Sequence, residues 1–168
     1  MTVNITRFNQ RDPIHRRIYL DTLEEEIKYL NSQGIYNNAA IDANSMKALS
    51  IGMIRRYHLG ESDIYIVSDD STKFAVAIFL QDKVNEDSGW GSRVISSLPV
   101  LSLMIDVQLT TLTALFRKIK QLYPRYNGVL CITKSSIFNS ISRAYPDRVN
   151  TIKSKLGVVA YVVDITTL

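Results

Sequence analysis

The stretch from residue 98 to residue 134 constrains the fold most, because it predicts a strand, a helix and a second strand joined by short turns. The run LPVLSLMIDV (98–107) is apolar enough for a strand, and residues 109–123 repeat apolar positions at helical spacing. Pro124 stops the helix, and GVLCITK (128–134) is typical of a strand buried on both faces. This order favours a parallel pair with a crossover helix.

The rest of the chain adds strands and helices on both sides of this unit. Before residue 98 we predict a strand at 3–8, helices at 14–34 and 43–59, a hairpin from DIYIVSDD and KFAVAIFLQDKV, and a loop at 85–97. After the strand-helix-strand unit at 98–134 we predict a helix within 136–155 that is broken at Pro146, and a strand at 158–166. The predicted order is β-α-α-β-β-β-α-β-α-β. It indicates one α/β (α+β) domain over residues 1–168, with a mixed sheet and helices on both faces.

Composition excludes several classes of protein. The longest apolar run, 98–107, is interrupted by Pro99, Ser102 and Asp106, so we expect no membrane span. The first residues lack the apolar core of a secretory signal, and we expect a cytoplasmic protein. One cysteine, Cys131, allows neither an internal disulfide nor a cysteine-based zinc site. His15 and His58 have no third partner at ligand spacing, so no metal site is expected.

Charge is distributed unevenly along the chain. Residues 101–168 carry nine Lys or Arg and three Asp, a net charge of +6, whereas the first hundred residues carry −2. A basic half attracts an anionic ligand, although solvated helix faces would give the same count. The basic residues are dispersed and lack stacking aromatics, so nucleic acid is not favoured as a partner. Neither a P-loop nor a serine-hydrolase elbow occurs.

The polar junction QLTTLT (108–113) lies between the strand and the helix of the central unit. With this junction in place, the order of elements resembles the GNAT superfamily of acyl-CoA-dependent N-acyltransferases. The resemblance implies that acetyl-CoA or a related acyl-CoA lies between the fourth and fifth strands, with its pyrophosphate at the following helix N-terminus. Gln108 matches the first residue of the family loop R/Q-x-x-G-x-G/A, but Thr111 and Thr113 replace its glycines. The alternative is that Thr110 or Thr111 simply caps the helix.

A second resemblance lies in SIFNSISRAYPDRV and the following SKLGVVAY, which are similar to the family's N…LY…LGF arrangement. It implies that Tyr145 protonates the departing thiolate as a general acid. The alternative role for Tyr145 is packing. Here the segment between Tyr145 and Leu156 is longer than in the family pattern, and Pro146 follows the tyrosine. The cofactor-binding residues implied by both motifs are Leu103, Ile105, Val107, Gln108, Thr110, Thr111, Thr113 and Asn139.

The transfer also needs a base for the amine, and the candidates on strand ends and loops are Asp63, Asp82, Glu86, Asp87 and Asp106. Asp106 is selected because it interrupts an apolar strand beside the implied cofactor loop. Its alternative role is that of a partner for the helix dipole. We therefore expect an N-acyltransferase that moves an acyl group from acyl-CoA to an amine, on a small molecule or a protein, by direct attack. The alternative is a GNAT-like module without catalysis that binds a protein partner, for example a phage-encoded virion component or host-directed inhibitor. Exposed strand edges are compatible with a homodimer.

Overall fold

A computed structural model describes residues 2–33, 63–80, 98–155 and 158–168. In chain order the elements are β1 (Asn4–Arg7), α1 (Pro13–Ser32), β2 (Asp63–Ser68), β3 (Lys73–Leu80), β4 (Pro99–Leu103), α2 (Leu109–Leu122), β5 (Gly128–Lys134), α3 (Ser135–Ala144), β6 (Val149–Lys155) and β7 (Val158–Asp164). The predicted helix at 43–59 and the predicted loop at 85–97 lie outside the described residues.

The seven strands form one mixed sheet in the order β1-β2-β3-β4-β5-β7-β6. Every neighbouring pair is antiparallel except β4 and β5, which are parallel from Val100 opposite Leu130 to Leu103 opposite Thr133. The predicted crossover is therefore confirmed. Because β4 and β5 run the same way, the helices that follow them, α2 and α3, both begin at the same edge of the sheet.

Helix α1 begins where the sequence places its start signals. The Asp12 carboxylate accepts a hydrogen bond from the Ile14 amide at 2.8 Å, and Pro13 occupies the first helical position, where its missing N–H costs nothing. Its inner side turns Tyr19, Thr22 and Leu30 toward the sheet. The predicted C-cap, Gly34, lies outside the described residues.

The strands alternate their side chains between two layers, and helices cover both, as predicted. One layer packs under α2 and α3 and forms the main core, with Tyr65, Val67, Val76, Leu101 and Leu103 among its members. The other layer packs under α1 through a smaller cluster that joins Phe8, Tyr19, Ile64, Ile66 and Ala75. The period of two along each strand and the amphipathic faces of α2 and α3 account for this division.

The end of the chain contains one strand more than predicted. Helix α3 ends at Ala144, and β6 then pairs with β7 as a hairpin at the edge of the sheet. The predicted element order omitted β6 because VNTIKSK alternates only weakly, and a register shift between Thr151 and Lys153 interrupts its pairing. An edge strand buries little of its surface, so its hydrophobic pattern is weak.

Candidate functional site

The candidate site lies at the sheet edge where β4 and β5 end. Leu103 and Thr133 are the last paired residues of the two strands, and the chain leaves β4 at Met104 to reach α2. In sheets with parallel strands, ligands bind outside the carboxyl ends of the strands, where free amides and helix N-termini meet. Eight of the ten site residues selected from the sequence lie on the segment that leaves this edge between residues 103 and 113, whereas Asn139 lies within α3 and Tyr145 follows its last residue.

The N-cap residue of α2 makes no capping hydrogen bond with its side chain. Gln108 is the N-cap residue, in extended conformation, and its side chain makes no hydrogen bond to the helix. Its amide nitrogen lies 3.5 Å from the Ser71 hydroxyl in the turn between β2 and β3. The alternative that Thr110 or Thr111 caps the helix is wrong, because α2 begins at Leu109 and both threonines lie inside its first turn.

Thr111 is fully buried, and its hydroxyl donates to the Asp69 carboxylate at 2.7 Å. Asp69 also accepts the backbone N–H groups of Ser71 and Thr72, each at 2.8 Å. The Thr111 hydrogen bond is the largest influence on the Asp69 pKa, and with the turn donors it holds that pKa well below the usual range. A fixed negative charge therefore stands beside the first turn of α2.

Thr113 and Tyr145 join the two helices on this side of the sheet. Their hydroxyl oxygens are 2.9 Å apart, and either can be the donor, while Thr113 also donates to the Leu109 carbonyl oxygen one turn earlier. Tyr145 terminates α3, is half-buried against the main core, and has the Arg148 guanidinium 5.7 Å from its ring centre. The structure thus brings Thr113, which occupies the position of the second glycine in the family loop, into contact with Tyr145, the candidate acid.

Asp106 faces the junction of β5 and α3. Its carboxylate accepts hydrogen bonds from the Lys134 ammonium and the Ser136 hydroxyl, each at 3.0 Å. These contacts, Lys134 first, lower the Asp106 pKa. The same ammonium lies 4.3 Å from the ring centre of Tyr29 on α1, so Lys134 connects this edge to the other layer.

The remaining sequence candidates take different positions. The side chains of Leu103 and Ile105 are buried in the main core, and Val107 packs against it, so only their backbone is available to a ligand. Asn139 is exposed on α3, whose buried side carries Ile137 and Ile141. The structure therefore does not bring Asn139 to Tyr145.

Sequence reasoning missed Glu26, on the inner side of α1. Its carboxylate accepts a hydrogen bond from the Met104 backbone amide at 2.8 Å. Met104 is the first residue past β4, so this amide is outside the strand pairing. Burial raises the Glu26 pKa to about 7, even though the Met104 hydrogen bond acts in the opposite direction. The sequence shows Glu26 only as the last of three consecutive glutamates, which gave no signal of this contact.

The site residues thus form two groups on opposite layers of the sheet. The first group, around the N-terminus of α2, contains Asp69, Gln108, Thr111, Thr113 and Tyr145. The second group lies under α1 and contains Glu26, Tyr29, Met104, Asp106 and Lys134. Within the part of the chain that the structure describes, no three His, Cys, Asp or Glu side chains are placed to hold a metal ion, and no helix is long and apolar enough to cross a membrane.

Comparison with solved structures identifies the fold. The chain superposes on an acetyltransferase from Streptococcus agalactiae with a TM-score of 0.54 at 14% sequence identity, covering 96% of this chain and 98% of that one. A GNAT-family acetyltransferase from Listeria monocytogenes gives a TM-score of 0.51 at 14% identity, with 96% and 94% covered. No protein-family model matches the chain, and no curated protein matches it in sequence. The chain has the GNAT fold, in a divergent form, as the sequence resemblance implied.

Proposed function

We propose that this protein is an N-acyltransferase that moves an acyl group, in the simplest case acetyl, from acyl-CoA to an amine by direct attack. The observation that carries the proposal is the Met104 amide, which lies just past the end of β4 and already donates to a carboxylate oxygen. An N–H that binds a negatively charged oxygen at this position is suited to the oxyanion of a tetrahedral intermediate. The GNAT fold of the chain supports the same reaction class, although fold alone does not establish activity.

Acyl-CoA would bind along the first group of residues. The pyrophosphate would meet the N-terminus of α2 at Gln108, Thr110 and Thr111, where backbone amides and the helix dipole favour an anion. The pantetheine would follow the backbone from Leu103 through Ile105 to Val107. Thr113 and Tyr145 would flank it from α2 and α3, and Asn139, exposed on α3, belongs to the proposed set through the family resemblance alone.

The Tyr145 hydroxyl is proposed as the acid that protonates the departing thiolate. It is half-buried and hydrogen-bonded to the Thr113 hydroxyl, which fixes its position between the two helices. When the carbon–sulfur bond breaks, the electron pair leaves with sulfur, and the phenol proton would neutralise it. Thr113 would keep the phenol oriented during this step.

Two carboxylates are candidates for the base. Asp106 is the sequence candidate, but its contacts with Lys134 and Ser136 lower its pKa, which makes it a weaker proton acceptor. Glu26 has a pKa raised to about 7, the range in which a general base is most effective near neutral pH.

Titration with acetyl-CoA tests the proposal. Ligand that binds only the folded state stabilises it by about 2.7 kcal/mol at a concentration 100-fold above Kd. For a chain of this size the melting temperature should rise by about 5 to 10 °C. Isothermal calorimetry should give saturable binding of one equivalent. If millimolar acetyl-CoA produces neither heat nor a thermal shift, the enzyme proposal fails, and the GNAT-like module that binds a protein partner is the interpretation left.

A further inference from the structure

Glu26 lines an open cleft between α1 and the sheet. The other lining residues are Tyr19, Thr22, Leu23, Ile64, Ala75, Val76, Ala77 and Ser102. Most of this surface is apolar, and two of the β3 residues are alanines, whose small side chains leave the space under α1 open. Of the described residues that line the cleft, Glu26 is the one that carries a charge.

Among the described residues, no cation pairs with the Glu26 carboxylate, whose one hydrogen bond there comes from the Met104 amide. On its own helix, Glu25 raises its pKa further, and Tyr19 lines the same cleft. The lining residues of β2 and β3 are not titratable, and β4 contributes Ser102 and the Met104 amide. On β5, the Lys134 ammonium binds Asp106 and covers the Tyr29 ring instead. None of the ion pairs among the described residues involves Glu26.

We propose that this cleft binds a primary ammonium ion with a compact apolar substituent, and that its ammonium group pairs with the Glu26 carboxylate. A partly buried carboxylate without a cation is a costly arrangement that a cationic ligand relieves. The apolar lining would hold the substituent by burial. The inference rests on the proposed function, since this ligand would be the acyl acceptor, and it narrows the acceptor to an amine with an apolar body.

The proton balance follows from the same contact. The Glu26 carboxylate takes one proton from the ammonium, and the freed lone pair forms the carbon–nitrogen bond at the thioester carbonyl. The carbon–sulfur bond breaks and its electron pair leaves with sulfur. The thiolate gains a proton from Tyr145, which recovers one from the nitrogen as the amide forms. The products are the amide, the thiol and a protonated Glu26, which returns its proton to solvent.

Glu26 must leave the Met104 amide for this reaction to occur, because the thioester oxygen would need the same donor. An ammonium in the cleft gives the carboxylate a second partner close by. The pKa of Glu26 should fall when the cation binds, because a positive neighbour favours the charged form. Binding near neutral pH is therefore expected to release protons.

Phenethylammonium is a suitable probe, and the test needs no acyl-CoA. Calorimetry on the full chain should show saturable binding at millimolar concentration. Glu26→Gln should weaken that binding about 10- to 100-fold. The matched control is Glu24→Gln, which removes an exposed carboxylate from the same helix and should bind as the parent does. Carbon-13 NMR of labelled glutamate should show the Glu26 pKa falling when the probe is added.

A second variant tests the shape of the cleft. Ala77→Val adds two methyl groups to its lining and should weaken phenethylammonium binding while leaving that of methylammonium unchanged. Absence of binding, or equal binding by the parent and Glu26→Gln, would overturn the inference, as would a Glu26 pKa that the probe does not move. Acetyl-CoA binding is measured separately. If amine binding fails and acetyl-CoA still binds, the proposed function stands without this inference. If neither ligand binds, both the inference and the proposed function are wrong.

Discussion

The Thr111 hydroxyl, in the first turn of α2, donates to the Asp69 carboxylate, in the turn between β2 and β3, at 2.7 Å. The two residues are 42 positions apart in the chain. Their contact fixes the start of α2 against the neighbouring turn. It also places a protein carboxylate beside the helix terminus at which the proposed function puts a pyrophosphate, so Asp69 affects both stability and affinity.

Asp69→Asn is expected to lower the free energy of unfolding at pH 7 by about 1–2 kcal/mol, because it weakens the hydrogen bonds from Thr111, Ser71 and Thr72. The folded-state pKa of Asp69 lies below its unfolded value, so its contribution is fully present above pH ~4 and is lost as pH falls further. Urea unfolding at neutral and acidic pH measures both effects. Asp70→Asn, an exposed change in the same turn, is the control. The prediction is wrong if Asp69→Asn and Asp70→Asn lower the free energy of unfolding equally, or if the loss in Asp69→Asn does not depend on pH.

The same substitution should tighten acyl-CoA binding under the proposed function. Removing a negative charge beside the α2 terminus reduces its repulsion of the pyrophosphate, by about 1 kcal/mol at partly exposed positions. Calorimetry at low temperature, where Asp69→Asn remains folded, should show a severalfold lower Kd than the parent. The gain should shrink at high salt, because ions screen exposed charges. Unchanged or weaker binding would mean that the pyrophosphate does not lie beside Asp69.

Tyr145→Phe should reduce kcat by about 100-fold or more while the Kd for acetyl-CoA stays nearly constant, because only the proton donated to the thiolate is lost. Thr113→Val should reduce kcat less, because the phenol remains and loses only its partner. Tyr126→Phe, on the loop before β5, is the control for loss of a tyrosine hydroxyl. Single-turnover kinetics measure these effects. If Tyr145→Phe turns over at the parental rate, Tyr145 serves packing alone.

Glu26→Gln is expected to stabilise the protein above neutral pH. The folded-state pKa of Glu26, about 7, exceeds its ordinary value of 4.5, so the folded state binds the additional proton between these values. Stability must therefore fall as pH rises through that window, by about 1–3 kcal/mol, and glutamine removes this loss. Thermal or urea unfolding at pH 5 and pH 8 should show that the free energy of unfolding of Glu26→Gln rises relative to that of the parent only at pH 8. Glu24→Gln should not gain stability relative to the parent at pH 8. If the stabilities of the parent, Glu26→Gln and Glu24→Gln depend on pH in the same way, Glu26 is not a buried charge.

Much of the fold was predictable because local hydrophobic periodicity reports which side of an element is buried. The parallel unit at 98–134 and the helices on both faces were predicted and confirmed. Strand β6 was omitted, since an edge strand such as Val149–Lys155 carries little of that pattern. The order of elements also predicted the GNAT fold, although the loop at Gln108 lacks the two glycines of the family pattern.

The sequence by itself determined the described strands and helices other than β6, and it placed the polar junction at Gln108 between the strand and the helix of the central unit. Only the tertiary structure decided what those polar residues do. Thr111 looked like a cap and binds Asp69, and Glu26 looked like one of three surface glutamates and binds the Met104 amide, 78 positions away. Hydrogen bonds and pKa values depend on distance and burial between segments remote in the chain. Periodicity along a single segment contains no information about either.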